Sequence, residues 1–204
     1  MSRQIQRSAA KRPPPRNTRN IIIYATLAVI VIGAIVAVAL ASRVPQVAST
    51  APEAPAAIKV GDKAPDFSAA TNQGPFTLSA VKGKPVFLEI FATWCPHCQR
   101  MTSVIDKLYA RYKDKVQFLA VSGSQFGIDG STPETQADVV AWATKFNVTY
   151  PVAFDSDLTV AKLYSQAAFP TIVIIEKSGT ISDIETGELT SDYLAKKLDK
   201  ALSS

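Results

Sequence analysis

Histidine occurs once in this sequence of 204 residues and cysteine twice, and the three fall within four positions as Cys95, His97 and Cys98. A closed structural zinc site needs four ligands, which so small a set does not supply. A structural disulfide between Cys95 and Cys98 would close only a very short loop, the kind that gains least stability from the link. Acidic residues are missing from positions 1–20, and charge of either sign is missing from 21–41. No internal repeat is visible.

The first twenty residues carry six basic side chains: Arg3, Arg7, Lys11, Arg12, Arg16 and Arg19. They hold all of the formal charge of +5, because the other sixteen basic residues face seventeen acidic ones. The basic balance therefore gives no support for a nucleic-acid-binding domain, and no nucleic acid is expected as a partner. With Pro13-Pro14-Pro15 inside it, the 1–20 segment reads as an irregular basic tail on the cytoplasmic side. Ile21 to Ala41 is an uncharged run that, as a helix, spans about 31 Å against a hydrocarbon core of roughly 30 Å. Basic residues before it predict a single-pass anchor of a bacterial cell membrane with its N-terminus in the cytoplasm. Ala39-Leu40-Ala41 before Ser42 also fits signal-peptide cleavage, but a secretory apolar region is usually about 7–15 residues long, so an uncleaved anchor is expected. Either outcome exports the remainder to the periplasm or outer surface. Residues 42–57, rich in alanine and proline, read as a linker, and 58–204 as one domain.

That domain is organised around Pro85 to Met101. Val86 to Phe91 reads as a buried strand interrupted only by Glu89. Met101, Val104, Ile105, Leu108 and Tyr112 then recur at helical spacing. The cysteines lie where the strand hands over to the helix, with Pro96 suited to its first turn. A helix N-terminus has unpaired N–H groups and partial positive charge, both favouring a thiolate. Cys95 at the helix mouth is therefore expected to be the exposed, attacking thiolate, and Cys98, one turn further in, the resolving thiol. His97 can carry positive charge beside them; stabilising the reduced thiolate makes the disulfide more oxidising. Glu89 is either an exposed position on a half-polar strand or a buried acid beneath Cys98, raised in pKa by desolvation and able to move the resolving thiol's proton.

The run FATWCPHC after an apolar strand, with GDKAPDF at Gly61–Phe67 and FPTIVIIEKSGTI at Phe169–Ile181, resembles the membrane-anchored thioredoxin-fold disulfide oxidoreductases of the TlpA/ResA type. The resemblance extends from Ile58 to Leu202. It implies an α/β thioredoxin-like fold: a mixed central sheet flanked by helices, with a helix-strand insert at roughly 124–154. It implies a redox disulfide between Cys95 and Cys98, a cis-proline at Pro170 lying against them, and a substrate-facing Phe169. It further implies protein thiol or disulfide substrates, a membrane redox partner for recycling, and neither metal nor organic cofactor. The dipeptide Pro96-His97 departs from the pattern, since it is the one found in DsbA-like oxidants. Trp94 is expected to flank the nucleophile as a docking surface or to be only a core aromatic at the surface; Trp142 reads as core.

Along the domain, Phe76, Leu78 and Val81 suggest a short strand pair, and 116–121 a second buried strand parallel to the first. Ser131 or Thr132 is expected to cap a helix reaching Phe146 that buries Val139, Val140, Trp142 and Phe146. Strands at 151–154, 171–176 and 180–186 and helices at 158–164 and 191–202 complete the pattern. Three rival functions are weighed. A peroxidase of the peroxiredoxin type lacks its Pro-x-x-x-Thr-x-x-Cys run, since Leu88 and Ala92 stand at those positions. A copper-binding assembly factor of thioredoxin fold is chemically reasonable for two thiolates, although such proteins use a distant histidine absent here. The function expected is an extracytoplasmic thiol-disulfide oxidoreductase forming, breaking or shuffling protein disulfides, with His97 favouring oxidation or shuffling; a reductant for cytochrome c maturation keeps the redox chemistry and reverses the electron flow.

Overall fold

The computed structural model describes residues 18–41, 57–165 and 168–204. The basic tail up to residue 17 and the linker up to residue 56 lie outside the described residues. The chain divides into two units, Met1–Pro52 and Glu53–Ser204. In the first, helix α1 runs Thr18–Ala41. Its side chains are described from Ile22 to Val38, and all are exposed. Among the described residues no helix is long and apolar enough to cross a membrane.

The second unit is built on a sheet of seven strands: β1 (Ser68–Thr71), β2 (Gly74–Thr77), β3 (Val86–Phe91), β4 (Gln117–Ser122), β5 (Val152–Phe154), β6 (Thr171–Ile175) and β7 (Ile181–Thr186). Their order across the sheet is β2-β1-β5-β4-β3-β6-β7. Strands β3, β4 and β5 are parallel, whereas β6 runs antiparallel to β3, β7 to β6, and β1 to both β2 and β5. The helices are α2 (Pro96–Tyr112), α3 (Gln136–Lys145), α4 (Thr159–Tyr164) and α5 (Ser191–Ser203).

Strand β3 is buried over all six residues, the pattern of a parallel strand covered on both faces. Its alternation divides the core in two. Phe87 and Phe91 join Met101, Ile105 and Leu108 of α2, Trp142 of α3 and Leu194 and Leu198 of α5. Val86, Leu88 and Ile90 join Phe67, Phe76, Val160 of α4 and Tyr164 on the other face. Glu89 shares the parity of Phe87 and Phe91 and so belongs to the α2 side.

The mixed sheet and the α3–β5 insert agree with the fold expected from the resemblance. Three local expectations are corrected. The first strand pair lies at 68–77, and Leu78–Val81 is a 3-10 turn instead. The cap of α3 is Thr135, whose side chain and that of Asp138 form a reciprocal capping box. Ser131 and Thr132 instead donate their N–H groups to Asp129, closing a separate turn, which frees Glu134 for another task. Val140 faces outward at 44% exposure, because the buried stripe of α3 runs through Val139, Trp142 and Ala143 and the next residue after Val139 lies about 100° round the helix from it.

Gly123 follows β4, its N–H donating to Phe91 O at 2.9 Å. A methyl group there would lie 2.6 Å from Ala161 Cβ and 2.8 Å from Ile90 Cγ2. Gly123→Ala is therefore expected to destabilise the domain by about 1–3 kcal/mol through overpacking. Urea unfolding measures this; an unchanged midpoint would mean that α4 is not held tightly on β3.

Candidate active site

Strand β3 ends at Phe91, and Ala92 to Cys95 turn the chain into α2. Cys95 is the N-cap of α2, Pro96 holds the first turn, and no side chain caps the helix. First-turn N–H groups are thus left to the Cys95 sulfur and whatever binds it. Both cysteines are free thiols. Contrary to the exposed nucleophile expected, Cys95 is only 4% exposed, against 0% for Cys98. The reason is the neighbouring 168–170 segment, which packs over it: Cys95 Sγ lies 3.7 Å from Phe169 O, and the Phe169-Pro170 peptide is cis, as the resemblance implied.

Beneath them Glu89 is 1% exposed, between Ala120 of β4 and Ile172 of β6. Its Oε2 has no hydrogen-bond partner. Burial without compensation pushes the carboxyl up to about 8. Cys98 is likewise pushed far up, first by burial and then by the charge of Glu89. Near neutral pH both groups therefore hold their protons. Tyr150, also buried and with an unpartnered hydroxyl, is raised chiefly by burial and next by Glu89.

The loop before Cys95 is pinned by the insert. Thr93 Oγ1 donates to Glu134 Oε1 at 2.6 Å, and Ser122 Oγ to Glu134 Oε2 at 2.5 Å. Gln99 Nε2 donates to Thr93 O at 2.9 Å. Trp94 donates its indole N–H to Ser124 Oγ at 2.7 Å and meets Phe169 edge-on at 6.0 Å between centroids. Trp94 remains 38% exposed, a half-covered aromatic wall beside the thiol. Trp142, by contrast, is core, stacked on Phe91 at 4.4 Å.

His97 is directed elsewhere than the sequence suggested. Its Nδ1 lies 2.5 Å from Glu188 Oε1 in the β7–α5 connection. Arg100, one turn along α2, also donates to Glu188 through Nε at 2.9 Å and through a terminal nitrogen. These hydrogen bonds, Arg100 first, hold the Glu188 carboxyl down at about 2. The structure thus brings together Trp94, Cys95, Cys98, Phe169 and Pro170, with Glu89 below, and turns His97 to a carboxylate. Glu134, Thr93, Arg100 and Glu188 were missed from sequence. Glu134 was absorbed in a false capping signal, and Glu188, 91 residues from His97, carries no local signal at all.

Residues 59–202 match the Redoxin family model. The chain is 34% identical over 143 residues to the thioredoxin-like protein YneN of Bacillus subtilis, covering 70% of this chain and 80% of that protein. It is 37% identical over 142 residues to the thiol-disulfide oxidoreductase ResA of Oceanobacillus iheyensis, covering 67% and 69%. A crystal structure from Chlorobium tepidum, described as a thiol:disulfide interchange protein DsbE, superposes with a TM-score of 0.62 at 26% identity, covering 72% and 99%. StoA of Bacillus subtilis, at 21% identity and a TM-score of 0.55 over 65% and 96%, shares the fold.

Since Glu89 binds its proton more tightly folded, at about 8, than unfolded, at about 4.3, stability should fall as pH rises between those values. Glu89→Gln is expected to flatten that slope and to make the reduced domain more stable than the parent at pH 8–9. Urea unfolding at stepped pH is the measurement; parallel profiles would mean that Glu89 is hydrated.

Proposed function

The chain belongs to the Redoxin family and is a thioredoxin-like thiol-disulfide oxidoreductase, and from that premise we propose that it acts outside the cytoplasm, tethered through its uncharged N-terminal run, to reduce or shuffle disulfides in exported proteins. The observation carrying this reading is a pair of free thiols at the head of α2, with the Glu89 carboxyl buried beneath.

Cys95 as thiolate attacks a substrate disulfide, forming a mixed disulfide and expelling one substrate thiolate. Cys98 then gives up its proton, attacks Cys95 Sγ, and releases the second substrate thiolate. Glu89 is the group to receive that proton when ionised: a carboxyl at about 8 titrates close to working pH, where proton transfer is most effective. The Phe169 carbonyl beside Cys95 and the exposed edge of Trp94 form the seat for an extended substrate segment. The charge arrangement supports a reductive direction. Glu188 draws both the His97 ring and the Arg100 guanidinium to itself, away from the role that would favour an oxidant. The product is a Cys95–Cys98 disulfide, which a membrane redox partner must reduce before the next turnover.

The tether rests on the uncharged Ile21 to Ala41 run and the six basic residues before it, which set orientation. High-salt washing should leave the protein in the membrane fraction, with protease reaching the domain only from outside the cell. A mature chain beginning at Ser42 in the soluble extracytoplasmic fraction would overturn the tether. For the chemistry, Cys95→Ser is expected to abolish disulfide reduction, and Cys98→Ser to accumulate mixed disulfides with substrates. Iodoacetamide at mildly acidic pH should modify Cys95 first; preferential modification of Cys98 would reverse the two roles.

A further inference from the structure

A guanidinium, an imidazole and a carboxylate stand together at the rim of the site, and their arrangement goes beyond the exchange chemistry itself. His97 and Arg100, three residues apart on α2, share one face of the helix. Both reach Glu188 Oε1, and Arg100 also approaches His97 Nδ1 at 3.0 Å. Glu188 is not a loosely held surface acid. The preceding Gly187, at φ +81°, donates its N–H to Pro170 O at 2.9 Å. The following Leu189 donates to Met101 Sδ at 3.4 Å, and Met101 is buried in the core under α2. The turn thus fixes the carboxylate between the cis-proline segment and the active-site helix.

We infer that Glu188 is a positioning residue that lowers the reduction potential of the Cys95–Cys98 couple by engaging the Arg100 guanidinium, with the His97 ring held beside it, against the Cys95 thiolate. The inference rests on the thiol-disulfide reading above. In a glutathione buffer the couple is one protein disulfide plus two glutathione thiols, giving a Cys95 thiolate, a Cys98 thiol, oxidised glutathione and one proton. Two electrons pass to the protein; its S–S bond breaks as the glutathione S–S bond forms. Only the reduced side carries a charge at Cys95. A guanidinium free to face that charge favours the dithiol and raises the potential, whereas a carboxylate that binds the guanidinium opposes it. Arg100 sits in the second turn of the helix that Cys95 caps, and His97, which it approaches, lies between the two cysteines in sequence. The Glu89 carboxyl, buried on the other side of the cysteines, holds its proton and leaves Glu188 as the ionised acid of this cluster.

The test is redox equilibration of the full chain in detergent with reduced and oxidised glutathione, the dithiol fraction read by trapping with a maleimide. Glu188→Gln keeps a hydrogen-bond acceptor for Arg100 and removes only the charge. It is expected to shift the equilibrium three- to tenfold toward the dithiol, roughly 15–30 mV at about 30 mV per decade. Arg100→Gln is expected to shift it toward the disulfide, and the double variant to return near the parent. The shifts should shrink in 1 M salt, since these groups are exposed. A purely structural role would move both single variants the same way, and that result would overturn the inference, as would an unmoved equilibrium in Glu188→Gln. A parent protein without any reversible dithiol couple would overturn the thiol-disulfide reading, and this inference with it.

Discussion

The cost of burying a carboxyl group in the middle of a central strand governs this domain. Strand β3 is buried on both faces, as a central parallel strand must be, yet one of its six residues is an acid. Covering Glu89 from both flanking strands and from α2 is what raises its proton affinity. The same covering raises that of Cys98 above it. Neither effect needs a metal or an organic group; each follows from apolar residues filling the space around a titratable one. The two thiols then differ in surroundings more than in exposure: Cys98 is enclosed with Glu89, while Cys95 sits at a helix end beneath a backbone carbonyl.

Outside this dry interior the electrostatics are of another kind. His97, Arg100 and Glu188 lie at the surface, where water and salt weaken each interaction. A surface cluster suits modest adjustment and a buried acid suits proton transfer. One site therefore combines a strong effect with little freedom and a weak effect that a single substitution can reset.

Much of the plan could be read from the residues alone. The apolar Val86 to Phe91 run and the periodic pattern from Met101 are local signals, and local signals give strand, helix and their junction. Glu89 stood out because it interrupts an apolar run. Phe169-Pro170 stood out because proline is uncommon at the head of a central strand. What escaped depends on contacts between distant segments. Ser131-Thr132-Pro133-Glu134 reads as a capping signal, yet Asp129 captures Ser131 and Thr132, and Glu134 turns inward to Thr93 and Ser122. Cys95 reads as exposed until the 168–170 segment is laid over it. His97 reads as a partner for Cys95 until Glu188 arrives from another connection. Side chains with several possible partners are assigned by tertiary proximity, which spacing along the chain does not encode.

The clamps on the dithiol also carry an order in time. Thr93 meets Glu134 across 41 residues, Cys95 meets Phe169 across 74, and His97 meets Glu188 across 91. A chain made from its N-terminus presents Cys95 and Cys98 before any of these neighbours exists, and closing such long loops is slow compared with forming α2. In that interval the cysteines have the helix end but not the enclosure. The cover over Cys95 and the carboxylate beside His97 arrive only with the final third of the chain, so a half-built domain has the motif without its full surroundings.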